Sequence, residues 1–126
     1  MERVFFCVGS ILAGTSVAAG AFGAHLLRQR LDPQMLAAFE TAAHYQLAHG
    51  LALLAVAWAV ARWPGAGLEP AGWLLAAGAV VFSGSLYVMS LSGLRAIGVV
   101  TPVGGVAMIV GWLWLALGVM RVARPG

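Results

Sequence analysis

Charge is scarce in this chain. Only 9% of its 126 residues are Asp, Glu, Lys or Arg, against about 25% in an ordinary soluble domain. Lysine is absent altogether, so the seven arginines supply all the permanent side-chain positive charge. With four acidic residues the formal net charge is +3 and the isoelectric point is near 10.0. That basicity does not point to nucleic acid, because no basic patch with interleaved aromatics exists. A single cysteine, Cys7, rules out an internal disulfide. It stands in an apolar run, where inert packing is its expected role. The alternation of a membrane β-barrel is missing as well. The glycine-rich stretches lack the spacing of a phosphate loop.

What is there is apolar. The chain is 62% hydrophobic with a mean hydropathy of +0.95, where soluble domains hold about 45–50%. A small soluble fold buries only a modest share of its surface. The composition therefore argues against a soluble enzyme and a disordered chain, and for an integral membrane protein. About 20 apolar residues cross a bilayer. Four apolar runs stand out, at Val4–Ala24, Gln34–Ala61, Pro70–Ser92 and Pro102–Ala123. Backbone groups in lipid must be satisfied within the segment, so all four are read as helices. The expected fold is an all-α, four-helix transmembrane bundle in a single domain covering residues 1–126.

Local signals sharpen the boundaries. Asp32 caps the second helix and Pro33 suits its first position. Met35, Leu36, Phe39, Ala42 and Ala43 recur at helical spacing, so that helix starts in the interface before entering hydrocarbon. Ala21-Phe22-Gly23 loosely resembles a signal cleavage site, but the apolar run is longer than a signal core and is read as a retained span. Small residues mark smooth faces for helix contact. On the first helix these are Ser10, Gly14 and Ala18, and Ser16, Gly20 and Ala24. On the third they are Gly78, Ser83 and Gly84, and on the fourth Gly104, Ala107, Gly111 and Gly118.

The polar minority is unevenly placed. Four spans put loops one and three on one side of the membrane. His25 closes the first helix there. Glu40, His44, Tyr45, Gln46 and His49 fill the opening half of the second, and Ser83, Ser85, Tyr87, Ser90 and Ser92 the closing half of the third. Thr101 opens the fourth, and Arg28, Arg30 and Arg95 flank the group. The five tryptophans, Trp58, Trp63, Trp73, Trp112 and Trp114, are assigned to the other leaflet. Ionisable groups near hydrocarbon are costly and mark pairing or function. Glu40 and His44 share one helix face, as do Tyr45 and His49. A polar pocket open to the loop-one side is expected, formed by His25, Arg28, Glu40, His44, Tyr45, His49, Ser83, Ser85, Tyr87, Arg95 and Thr101. The bland alternative is a structural polar cluster in which Glu40 pairs with Arg28, Arg30 or Arg95.

These residues also carry a resemblance. Gly20-Ala-Phe-Gly-Ala-His25, Phe39-Glu-Thr-Ala-Ala-His-Tyr-Gln-Leu-Ala-His49, Phe82-Ser-Gly-Ser-Leu-Tyr87, and Thr101-Pro-Val-Gly-Gly105 with Gly111-Trp112 resemble the YgdD family of small bacterial membrane proteins. That family is a domain of unknown function with a eukaryotic transmembrane relative. The resemblance implies a small multi-pass inner-membrane protein and no established reaction.

Three functional readings compete. The first is an accessory protein binding a lipid, a small ligand or a partner in the loop-one pocket, with Arg28, Arg30 and Arg95 drawing an anionic phosphate. Its expected partners are membrane lipids, and a membrane-protein partner or a second copy of the chain. The second is a small proton-coupled transporter using Glu40. The third is a metal or haem enzyme built on His25, Glu40, His44 and His49, whose spacing lacks a shared ligand face. No catalytic residue, metal site or cofactor is assigned, and catalysis is the less favoured class. Arg3, Arg62, Arg121 and Arg124 outnumber Arg28, Arg30 and Arg95 by four to three, which puts both termini in the cytoplasm.

Overall fold

Proline, glycine and one aspartate set the helix boundaries. The computed structural model describes residues 1–122. Ala123, read as the end of the fourth span, and Arg124 beside it lie outside the described residues. The α-helices are α1 Glu2–Phe22, α2 Pro33–Arg62, α3 Glu69–Ser92 and α4 Thr101–Met120, with no strand among the described residues. Asp32 is extended, its Oδ1 accepts the Met35 N–H at 2.9 Å, and Pro33 opens α2. Pro70 and Pro102 stand in the first turns of α3 and α4. Gly93, with φ of 75°, ends α3 and returns its N–H to the Met89 carbonyl.

Two short elements go beyond the sequence reading. α1 runs on into a π turn at Gly23–Leu27, and a 3-10 turn at Arg95–Val99 precedes α4. The π turn places His25 within the helical element and extends it past Ala24. Gly23 is buried there, and a Cβ on it would stand 3.0 Å from the Phe39 ring.

Each helix packs on its neighbours in sequence, and α1 also touches α3 lightly. α2 and α3 are thus the inner pair, and α1 and α4 the flanks. Half of the most apolar stretch of α2 is buried, against 17% for α1 and 22% for α4. The flanks show bare Val, Ile and Leu outward, a surface suited to lipid rather than water. All four elements are long and apolar enough to cross a membrane. Cys7 faces outward on α1 instead of packing inside.

Backbones touch at two crossings. A Cβ on Gly9 would stand 2.6 Å from the Gly50 carbonyl oxygen, so α1 lies directly on α2. A Cβ on Gly78 would stand 2.8 Å from the Gly104 oxygen, and one on Gly104 would collide with the Phe82 nitrogen. The expected α4 stripe is used, since Gly104, Gly111 and Gly118 are all buried. The α1 stripes are largely not. Gly14 and Gly20 have nothing within 4 Å, and neither does Gly84 on α3. A smooth face permits close approach, but the partner's own glycine decides where the crossing falls.

The close-packed apolar core occupies the half of the bundle nearest loop two. Phe5, Leu53, Val56, Leu68 and Leu75 are buried there. Phe5 lies over the bare backbone of Gly72 and edge-on to Trp73 at 5.3 Å. Toward loops one and three the interior is tied by hydrogen bonds instead.

Candidate functional site

Gln46 is the centre of the polar half. A primary amide within hydrocarbon needs partners, and this one reaches both neighbouring helices. Its Nε2 donates to the Leu12 carbonyl at 3.0 Å and to Thr15 Oγ1 at 2.6 Å on α1. Its Oε1 accepts from Tyr87 OH on α3 at 2.6 Å. Thr15 passes its own proton back to the Ile11 carbonyl at 2.7 Å. Three helices are joined through one side chain. Nearby, Ser83 Oγ donates to the Ala42 carbonyl at 2.8 Å, a second tie between α3 and α2.

A different arrangement faces α4. Trp112 Nε1 donates to His49 Nε2 at 3.1 Å, and His49 Nδ1 lies 2.9 Å from the Tyr45 carbonyl. An indole nitrogen only donates, so Nε2 holds the lone pair and Nδ1 the proton given to Tyr45. Both ring nitrogens of this buried histidine are thereby occupied. The Tyr45 ring is stacked on His49 at 6.1 Å and packs on Phe82 at 4.7 Å. Trp112 thus leaves the tryptophan group of the far leaflet and serves as a mid-bundle donor. Ser85 and Thr101 share a hydrogen bond of 2.6 Å between α3 and α4.

The remaining expected residues stand apart. His25, Arg28, Glu40 and His44 are exposed. Arg95 is exposed too and donates to Gln34 Oε1 at 2.9 Å. Among the described residues no ion pair joins Glu40 to an arginine. Glu40 and His44 share only a shallow recess on the outer face of α2, with Ala37, Thr41 and Tyr45. No three His, Cys, Asp or Glu side chains among the described residues converge as metal ligands. The eleven expected residues therefore fall into an α1 side, an α4 side and an exposed rim.

On the α1 side the helices splay. α1 and α3 barely touch, and a groove of about 580 Å³ opens between them. Thr15, Ala18, Ala19 and Phe22 form one wall, Tyr87 and Leu91 the other, and Phe39 and Gln46 the floor. A smaller recess of about 180 Å³, lined by Leu12, Val80 and Gly84 among others, shares Gln46 and Tyr87 with it. The Tyr87–Gln46 hydrogen bond is a crossbar between the two. The Tyr87 oxygen gives its proton to Gln46 and keeps lone pairs free.

A family model described as a protein of unknown function, DUF423, matches residues 19–105. The chain belongs to the DUF423 family. This DUF423 protein is 42% identical over its whole length to the UPF0382 inner membrane protein YgdD of Escherichia coli, covering 97% of that protein. It is 43% identical to a UPF0382 membrane protein of Staphylococcus saprophyticus over 95% of this chain and 99% of the relative. The UPF0382 membrane protein YwdK of Bacillus subtilis is 38% identical over 94% of this chain and 98% of the relative. No solved structure matches the chain. With its four spans, this DUF423 protein is a multi-pass inner-membrane protein.

The geometry of this DUF423 protein adds three residues to the expected set. Gln46 stands among the polar residues of α2 in sequence but outside the expected pocket, and Thr15 and Trp112 were not linked to it. A lone amide in the middle of a membrane helix was the available signal for Gln46. Nothing in the sequence pairs Trp112 with His49, because the contact joins non-adjacent helices.

Proposed function

We propose that the protein is a non-catalytic accessory protein of the inner membrane that holds a lipid between α1 and α3. The observation that carries this reading is the laterally open groove of about 580 Å³ with the Tyr87–Gln46 crossbar in its floor. Its volume lies in the range of small-molecule sites, about 300–1,000 Å³. Its lining of alanines, Phe22, Phe39 and Leu91 suits an acyl chain. The free lone pairs of Tyr87 suit a hydroxyl or amide donor near the top of that chain. Arg28 follows Phe22 by six residues and Arg95 follows Leu91 by four, so both cations stand at the loop-one end where a phosphate would sit.

The transporter reading gains less support, because Glu40 lies on the outer face of α2 and not in the groove. The test is native mass spectrometry of protein extracted with its own lipids. The expected result is a lipid retained in the wild type and held more weakly in Arg95→Ala, and one lipid fewer per protein in Ala18→Trp, where an indole fills the groove. Equal retention in all three proteins, or none in the wild type, would overturn the reading.

A further inference from the structure

The opposite end of the bundle carries a second amphipathic site, independent of the α1/α3 groove. Loop two packs against the end of α4, and Trp114 Nε1 fixes it there by donating to the Gly67 carbonyl at 2.9 Å. Between them lies a cavity of about 450 Å³ whose lining includes both Arg62 and Arg121. No acidic side chain among the described residues lines it. Neither guanidinium has a salt bridge among those residues, and Arg62 rests 5.7 Å from the centre of the Trp63 ring. Two cations facing one cavity repel each other, and an anion between them removes that cost.

The cavity continues into a trough. A second space of about 510 Å³ shares Ala66, Gly118 and Arg121 with the first. It runs along α4 past Val110, Leu113, Trp114 and Leu117. These stand at i, i+3, i+4 and i+7 and form one stripe about 10 Å long, directed from Arg121 into the membrane. All four are exposed, and apart from the Trp114 hydrogen bond to Gly67 their outward faces are left to the bilayer. A cationic cavity opening into an apolar trough matches one occupant, a phospholipid with a net negative head group. We infer that Arg62 and Arg121 hold the phosphate of an anionic phospholipid whose acyl chain lies along Val110, Leu113 and Leu117. The arginine bias places this end in the cytoplasm, where the leaflet surface is negative.

The test uses Ala18→Trp protein, so that the α1/α3 groove is already filled. Phosphatidylglycerol and phosphatidylcholine of equal chain length are titrated into detergent-solubilised protein and read by native mass spectrometry. A third arm uses soluble glycerol phosphate. Two arginines near an anionic group give a preference for phosphatidylglycerol on the order of 30-fold. Arg62→Gln/Arg121→Gln loses that preference, Arg3→Gln, which removes an exposed cation outside the cavity, keeps it, and Leu113→Trp weakens both lipids by obstructing the trough. Equal affinity for the two lipids overturns the inference. So does a preference that survives in Arg62→Gln/Arg121→Gln, or glycerol phosphate binding as tightly as phosphatidylglycerol. The two lipids are compared with both arginines intact in wild-type as well as Ala18→Trp protein, so the test stands even if one variant fails to fold.

Discussion

Adding one methyl group at Gly104 should loosen the bundle, while the same addition at Gly14 should not. At Gly104 the new Cβ would collide with the Phe82 nitrogen and stand 2.7 Å from the Gly78 oxygen. Both obstacles are backbone of α3, so relief requires moving one helix off the other. Overpacking of this kind costs about 1–3 kcal/mol. Replacing glycine by alanine inside a helix also returns up to about 1 kcal/mol of propensity. At Gly14 nothing lies within 4 Å, and only the propensity effect operates. The propensity gain is common to both variants, so their difference isolates the contact, about 1–3 kcal/mol in favour of Gly14→Ala. Equilibrium unfolding in mixed micelles, with each variant measured against wild type, reads that difference. Gly9→Ala should behave like Gly104→Ala, and Gly84→Ala like Gly14→Ala. Equal stability of Gly104→Ala and Gly14→Ala would refute the assignment of the packing faces.

Other consequences are as specific. Gln46→Leu removes three inter-helix hydrogen bonds; at an average near 0.6 kcal/mol each in a membrane, it should cost about 2 kcal/mol in the same unfolding assay. A double-mutant cycle with Trp112→Phe and His49→Leu should give a coupling of about 0.6–1.7 kcal/mol, and zero coupling would contradict the bond between them. Reporter fusions at the C-terminus should show it in the cytoplasm, the side to which the four-to-three arginine count points. A mixed or reversed orientation would move the Arg62–Arg121 cavity away from the negatively charged leaflet.

The elements were legible where chemistry is local. Asp32-Pro33, Pro70 and Pro102 announce three helix starts, and the arginines and glycines between runs announce the ends. The π turn at Gly23–Leu27 was not legible; its buried Gly23 packs against the Phe39 ring of another helix, a contact that local sequence does not display. The same distinction governs packing. Gly104, Gly111 and Gly118 repeat at a spacing that selects one face, and that face is buried. On α1 several small-residue rows compete, and the choice of Gly9 depends on Gly50, far away in sequence on α2.

Site residues follow the same logic. Gathering of polar side chains toward loops one and three could be counted along the chain. How they sort around α2 could not, since Gln46 and His49 are three residues apart and serve different neighbours. The Arg62–Arg121 cavity was equally hidden, because its two cations come from the ends of α2 and α4.

In the proposed function the space between α1 and α3 belongs to a lipid. A crystal structure grown in a lipidic mesophase doped with native membrane lipid tests it directly. Ordered acyl-chain density is expected between Ala19 and Leu91, ending beside Tyr87 with its head group toward Arg28 and Arg95. A groove closed by direct contact of α1 with α3, or filled by a helix of a neighbouring copy, would contradict it.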